Sequence, residues 1–527
     1  LALLTLGAVS YHLPKGRVLR AGLALFAVLF VLVRIDAMIF RLLMREEPLL
    51  YDQLFMLRHL MVLMGDLWSP TALAITAGVC ALLVLIPWLV MRLLERVREL
   101  LSEARLPKTV RVALLLWPVV LVASASHALG LTEKPLVQWM TPALADNLAR
   151  SHATYSSLQK NLQASPYAPL SALKLAQRPD VLLFLVESYG RLLFEHGRTH
   201  DAIRRRLDAD EATLTARGWH SVSGFTTAPV SGGRSWMAEG ALIMGTPVHY
   251  EAAFHHLIAN VPKMVTLTSF LEGQGYRSIN VAAADRKRPG IDVVNYYGFD
   301  EGVHFDEVRY KGRAFGWGIV PDQFTLGFVA EEILAKHEGP VFVDMHLVTS
   351  HAPWREVPEL VADFRGLSTG DAQPKETETK AAHTIVGRRL KRYAHLGEGR
   401  DAYMGRLTGE LLEGYERAIH YELDVLVDYL SRRERDALVI IVGDHQPPVI
   451  AEENASFDTP IHLLSRNADT TRHLLSLGFR SGMQPEGDAV MHHAGLLSLV
   501  AHTLAIAAGQ VDEAPRWVPQ GHVLIDP

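Results

Sequence analysis

The sequence predicts membrane-spanning helices followed by an α/β domain built on a mostly parallel sheet, and three observations carry that reading. Roughly the first 130 residues are dominated by Leu, Val and Ala, whereas the remainder is an ordinary globular mixture with charges throughout. Beyond residue 178, continuous apolar runs of strand length alternate with amphipathic helical patterns. At 527 residues the chain also exceeds the size at which one hydrophobic core stops growing, so more than one structural unit is expected.

The N-terminal part comes first. Residues Pro70 to Met91 and Val112 to Leu131 are nearly free of charge and long enough to cross a hydrocarbon core, which takes about 20 residues. Val18 to Phe40 is a third run, interrupted by Arg34 and Asp36, which can pair or reach toward the interface. Leu1 to Ser10 reads as the tail of another span, and the absence of an initiator Met suggests a missing N-terminal piece. Basic residues orient the spans, because cytoplasmic loops are enriched in Lys and Arg. Lys15, Arg17 and Arg20 mark one internal loop, and Arg92, Arg96, Arg98, Arg105, Lys108 and Arg111 mark another. Between them, residues 41–69 offset Arg41, Arg45 and Arg58 with Glu46, Glu47, Asp52 and Asp66, so that loop is external. The expected organisation is therefore a transmembrane region over 1–131, a juxtamembrane helix and linker over 132–177, and an extracytoplasmic domain over 178–527.

In that last domain, the runs after Asp180, Arg277, Pro340 and Ala437 are of the kind buried on both faces of a parallel sheet. Gly414 to Leu430 reads as a helix with Tyr415, Ala418, Ile419, Leu423, Leu426 and Val427 on one side. The charged stretch 366–408 reads as a surface insertion. The single cysteine, Cys80, rules out an intrachain disulfide and any Cys-based metal site. A net charge of -5 gives no reason to expect a nucleic-acid partner.

Ligands of open α/β sheets bind beyond the carboxyl ends of the strands, so the polar residues that end these runs are the candidate site. The first run ends in Glu187-Ser188-Tyr189-Gly190 and the last in Gly443-Asp444-His445-Gln446. The middle one continues through Thr349-Ser350-His351-Ala352-Pro353-Trp354. Each alone has an ordinary structural reading as a helix cap or a core hydrogen bond. Together they set carboxylates and imidazoles on one rim, a donor set suited to Zn²⁺ or Mn²⁺. Phosphoryl or sulfuryl chemistry also needs a nucleophile, and Ser231-Gly232-Gly233-Arg234-Ser235 offers one: a Ser opening a helix, where the positive helix end favours an anion, with Arg234 beside it. An N-capping Ser in a glycine loop is the plainer alternative.

These motifs resemble the lipoteichoic acid synthase and phosphoglycerol transferase branch of the alkaline-phosphatase/sulfatase superfamily, over about 178–527 and with the multi-span N-terminus also similar. The resemblance implies an α/β sulfatase-like domain whose divalent metal, Mn²⁺ before Zn²⁺ or Mg²⁺, is bound by Glu187, Ser235, Asp444 and His445. It also implies that Ser235 is the nucleophile of a phosphoryl-serine intermediate and that His351, in Ser350-His351-Ala352-Pro353-Trp354, contacts the head group, with Trp354 beside it. Tyr296-Tyr297-Gly298-Phe299-Asp300 echoes a further family motif, which implies an upstream phosphate-binding arginine, Arg286 or Arg288. Ser235 stands where the best-known synthases have Thr, and Trp236-Met237-Ala238-Glu239 stands where they have Ser-Asp-Ala-Glu. The implied partners are a membrane phospholipid donor, an envelope glycan or polymer acceptor and the bilayer of a bacterial inner membrane. The implied activity is phosphoglycerol or related head-group transfer. A phosphodiesterase, phosphatase or atypical sulfatase on the same scaffold, and a non-catalytic membrane protein, are the rival readings. A true sulfatase is disfavoured because no Cys/Ser-x-Pro-x-Arg motif surrounds Ser235.

Overall fold

The computed structural model describes residues 140–158, 165–285, 296–369 and 400–525, apart from residues 317, 318, 353, 355, 449 and 452–454, together with isolated positions between 49 and 96. Two compact units partition the chain, Leu1–Arg41 with Glu47–Gln159 and Leu42–Glu46 with Lys160–Pro527. In the first, the helix Met140–Leu158 receives the Leu50 N–H on Asn147 Oδ1 at 2.8 Å and the Tyr51 N–H on Ser151 Oγ at 3.1 Å. The runs Val18 to Phe40 and Val112 to Leu131 lie outside the described residues, as does Pro70 to Met91 apart from isolated positions. Among the described residues, no helix is long and apolar enough to cross a membrane.

The second unit is organised by one mixed sheet. Its strands are β1 (Asp180–Val186), β2 (His220–Thr227), β3 (Arg277–Ala282), β4 (Glu301–His304), β5 (Val341–Leu347), β6 (Ala437–Gly443), β7 (Asp458–Ser465), β8 (Arg480–Ser481) and β9 (Ala489–His492). Their order is β4-β3-β5-β1-β6-β7-β2-β8, with β9 beside β2. The five strands β4, β3, β5, β1 and β6 are mutually parallel, the pairs β6-β7, β7-β2 and β2-β8 are antiparallel, and β9 lies parallel to β2. All four strands read from apolar runs fall in the parallel part, where every residue of β1 and β6 is buried. That is the environment that tolerates continuous Val, Ile and Leu.

The antiparallel part was not legible as strand. His220-Ser-Val-Ser-Gly-Phe-Thr-Thr227 carries too many hydroxyls for a buried strand by hydropathy, yet Val222 to Thr226 are buried. Their polar groups are matched across the sheet, as Ser223 with His462 shows at 2.7 Å. The helix expected over Gly414 to Leu430 is longer, Arg400–Arg432, so residues 400–408 of the expected insertion are its first turns. Its buried side holds Tyr415, Ala418, Ile419, Leu423 and Leu426, all in the main apolar core beside β1 and β5 residues.

Parallel pairing aligns the strand ends. Val186 is opposite Leu347 of β5 and Gly443 of β6, so Glu187, Val348 and Asp444 leave the sheet at one level. The backbone continues the pairing there: Glu187 N–H donates to Leu347 O at 3.0 Å and Asp444 N–H to Val186 O at 3.3 Å.

Candidate functional site

The alignment of strand ends sets Glu187 beside the Asp444-His445 pair, and a third element brings in Ser235. Gly233 (φ 64°) and Arg234 (φ 60°) both take left-handed backbone, which turns the chain sharply so that Ser235 opens the helix Ser235–Met244. Glycine accepts that geometry at no cost, whereas for Arg234 it is strained. Ser188 (φ 58°), directly after Glu187, and Trp354 (φ 49°), three residues after His351, are strained in the same sense. Strain of this kind persists where surrounding structure holds a group in a required place, and three of these residues lie within three positions of a candidate site residue.

Ser235 Oγ donates to Glu187 Oε2 at 3.1 Å and lies 3.4 Å from His445 Nε2. Ser188 Oγ donates to the other Glu187 oxygen at 2.7 Å. Asp444 Oδ1 accepts two backbone N–H groups, from Ser188 and from His445, each at 2.7 Å. The His445 ring is fixed by its Nδ1, which lies 2.8 Å from the Gln446 carbonyl. A carbonyl only accepts, so Nδ1 carries the proton and the Nε2 lone pair of the neutral ring faces the carboxylates. Nε2 is 3.2 Å from Asp444 Oδ2 and 3.6 Å from Glu187 Oε1.

Two carboxylates and an imidazole buried this closely are electrostatically expensive. Burial, and then the Glu187 charge, push Asp444 up to about 7. Burial would raise Glu187 as well, but His351 and His445 outweigh it and lower its pKa. In His445, burial opposes the charged form and the Asp444 and Glu187 carboxylates overcome it, so its pKa is raised. Asp444 Oδ2 is buried with no hydrogen-bond partner. A cation supplies what this arrangement lacks, and the ligand atoms of Glu187, Asp444 and His445 all lie within 4.8 Å of one another. The residues therefore fit a divalent metal of the Zn²⁺ or Mn²⁺ type.

His351 lines the same cavity as Glu187, Arg234, Ser235 and Asp444. Its turn is anchored by two buried carboxylates: Asp322 Oδ2 accepts the Val348 and Thr349 N–H groups at 2.8 and 2.7 Å, and Glu422 Oε1 accepts the Ser350 N–H at 2.9 Å. Ser350 Oγ ties the turn to the Glu187 carbonyl at 2.6 Å. Trp354 is buried against Tyr415, ring centroids 5.2 Å apart, and donates its indole N–H to the Ser350 carbonyl, so it braces the His351 turn from below. It is not among the residues that line the cavity. Arg286 and Arg288 lie outside the described residues. A separate groove lined by Ala330, Leu334, Val425 and Arg435 carries no comparable constellation.

One group of residues around the cavity was not singled out from sequence. Asn280, Asp344 and His346 sit within strands otherwise read as apolar, and Glu239 lies on the first helical turn after Ser235. The signal was present as an Asp and a His two residues apart in Val341-Phe-Val-Asp-Met-His-Leu347. In a strand, that spacing points both side chains to one face.

Comparison with known families matches residues 212–473 to the sulfatase family. Solved structures similar to this chain include the lipoteichoic acid synthase LtaP from Listeria monocytogenes, at 13% identity and a TM-score of 0.38, covering 70% of this chain and 80% of that one. The integral membrane lipooligosaccharide phosphoethanolamine transferase A from Neisseria meningitidis is similar at 11% identity and a TM-score of 0.45, covering 91% of this chain and 83% of that one. The phosphonate monoester hydrolase of Agrobacterium radiobacter is similar at 15% identity and a TM-score of 0.34, covering 63% and 74%. No curated protein matches the chain.

Proposed function

We propose, for a chain that belongs to the alkaline-phosphatase/sulfatase superfamily through its residues 212–473, a specific activity within that class of enzymes. It is a metal-dependent transferase that moves phosphoglycerol or a related phospho-head-group from a membrane phospholipid to an envelope glycan or polymer. The observation that carries the reading is Ser235 Oγ at a helix N-terminus, 3.1 Å from Glu187 and 3.4 Å from His445.

On this reading Glu187, Asp444 and His445, with Ser235 Oγ, hold the metal, and Mn²⁺ is the ion assigned. When bound, it supplies Lewis acidity that lowers the pKa of a hydroxyl and offsets charge on a phosphoryl group. Ser235 Oγ, its proton directed to Glu187, forms the bond to phosphorus while the bond to the diacylglycerol oxygen breaks. Arg234 and the N–H groups that open the Ser235–Met244 helix face the charge that grows on the non-bridging oxygens. His351 orients the head group and passes a proton to the departing oxygen. In the second half, an acceptor hydroxyl passes its proton to His351 and attacks the phosphoryl-serine, and the Ser235 oxygen leaves, taking back the proton directed to Glu187. Spans at the N-terminus hold this domain at the extracytoplasmic face of a bacterial inner membrane, beside its lipid donor.

The test is incubation of the full chain with Mn²⁺ and fluorescent phosphatidylglycerol or phosphatidylethanolamine, followed by mass analysis of the protein. Release of diacylglycerol with a phospho-head-group on Ser235 supports the reading and names the donor. Turnover of simple phosphate or sulfate esters without lipid cleavage replaces it with the hydrolase.

A further inference from the structure

The cavity that holds Ser235 is acidic at a second place. Glu239 follows Ser235 by four residues on one helix, a rise of about 6 Å, and projects from the same side. Asp344 and His346 share one face of β5, and Asn280 of β3 is paired directly with Asp344. His346 Nε2 lies 3.2 Å from Glu239 Oε1 and 4.0 Å from Asp344 Oδ2. The single Asn280 amide is shared between the carboxylates, 3.2 Å from Asp344 Oδ2 and 3.4 Å from Glu239 Oε1. Glu239, Asn280 and His346 line the cavity together with Glu187, Ser235 and His351.

Two observations set this cluster apart from an ordinary buried ion pair. Asp344 is completely buried, and its Oδ1 has no hydrogen-bond partner. His346 Nε2, although close to both carboxylates, is not aligned to hydrogen-bond with either. The ligand atoms of the three residues nevertheless lie within 4.8 Å of one another, the same convergence that Glu187, Asp444 and His445 reach. A buried carboxylate oxygen without a hydrogen-bond partner, beside an imidazole nitrogen in the same state, leaves lone pairs for a cation.

We propose that Glu239, Asp344 and His346 form a second divalent-cation site, one helical turn from the nucleophile and separate from the site of Glu187, Asp444 and His445. One imidazole and two carboxylates suit Mn²⁺ or Zn²⁺. A cation there sets positive charge along the wall of the cavity in which an anionic substrate would lie. The site is read from its own residues and does not depend on the transferase chemistry.

Counting metal tests it. The full chain in detergent, stripped with chelator and dialysed against Mn²⁺ alone, is analysed for manganese per chain, with thermal unfolding as the check on fold. Two equivalents are expected in the wild type, one in Glu239→Gln and one in His346→Gln, with that last one lost when Glu187→Gln is added to either. Glu239 and His346 are chosen over Asp344, whose full burial puts folding at risk, and the wild-type count stands whatever the variants do. One equivalent in the wild type that both single variants retain overturns the site and makes the cluster a closed, proton-sharing ion pair. Two equivalents in all three proteins overturn it equally. A single wild-type equivalent that Glu239→Gln loses and Glu187→Gln keeps supports the second site and sinks the metal assignment of the transferase reading.

Discussion

Two buried polar networks lie on the same sheet, and they differ in how completely they satisfy themselves. In the antiparallel part, the Tyr189 hydroxyl donates to His462 Nε2 at 3.0 Å, His462 Nδ1 donates to Ser223 Oγ at 2.7 Å, and Ser223 donates to the Gly482 carbonyl at 2.7 Å. Each donor has one acceptor and the chain closes on backbone. At the ends of β1 and β6, by contrast, Asp444 Oδ2 is left without a partner and three ionisable groups crowd together. The first network is neutral and complete, and its role is to specify a strand. The second is charged and incomplete, which is the state of a site that expects a ligand.

The largest effect that separates them is catalytic. Ser235→Ala removes the one hydroxyl at the incomplete site that bonds to Glu187 and lies beside His445. Head-group transfer is expected to fall by on the order of 10⁴-fold or more, with thermal stability nearly unchanged. Retention of a tenth of the wild-type rate would remove Ser235 as nucleophile.

Asp444→Asn sharpens the contrast, because activity and stability should move in different directions. Even partners of metal ligands cost roughly 10–100-fold when removed, so loss of a ligand should cost about 10²-fold or more. In chelator, the variant should be at least as stable as the wild type, since it no longer buries a carboxylate that Glu187 opposes. Added Mn²⁺ should raise the unfolding temperature of the wild type and leave that of Asp444→Asn in place. An equal Mn²⁺ shift in both proteins would detach the metal from Asp444.

The complete network should respond in the opposite way. Tyr189→Phe leaves His462 Nε2 buried without its donor, at a cost of about 1–3 kcal/mol. Urea unfolding measures that loss, and Mn²⁺ should restore none of it beyond what it adds to the wild type. A variant as stable as the wild type would show that the Tyr189-His462 bond adds nothing.

The same distinction explains what could be read from the sequence. The convergence of Glu187, Asp444 and His445 was legible because parallel strands put their polar ends on one rim, so linear position after an apolar run predicts spatial proximity. Ser235, by contrast, was read from its glycine loop and helix start, and only the fold brings it to that rim. Trp354 was legible as an aromatic beside His351, but only packing reveals that it turns inward onto Tyr415. Asp344 and His346 escaped because five apolar neighbours in β5 mask them, and their meaning depends on Glu239 from a distant helix. β2 and β7 escaped for a related reason. Their burial is made affordable by cross-strand partners, Ser223 and His462 among them, that no single segment displays.

Acid titration sets the buried histidines around β2, His462 among them, against Asp444. Burial lowers His462 and His493 to about 3 and His492 to about 4, so all three stay neutral in the folded protein while an unfolded histidine takes up a proton near 6.5. Their folded pKa values are depressed, so the stability they contribute is complete above about 6.5 and is lost as pH falls toward the folded values. At pH 5.5 the loss is about 1.4 kcal/mol for each fully buried ring. Asp444 has the opposite sign. Its folded pKa is raised to about 7, so in metal-free protein it gains a proton as pH falls through 7 while the unfolded carboxyl stays charged, and stability rises. The wild-type slope between pH 7.5 and 5.5, measured by urea unfolding in chelator, is therefore a balance of opposing terms, in which Asp444, and His445 with its raised pKa, act against the buried histidines. Asp444→Asn removes the Asp444 term and should lose stability more steeply with acid than the wild type does. Equal slopes would show that Asp444 is already ionised in the metal-free site, and that its unpartnered oxygen is compensated by a group other than a proton.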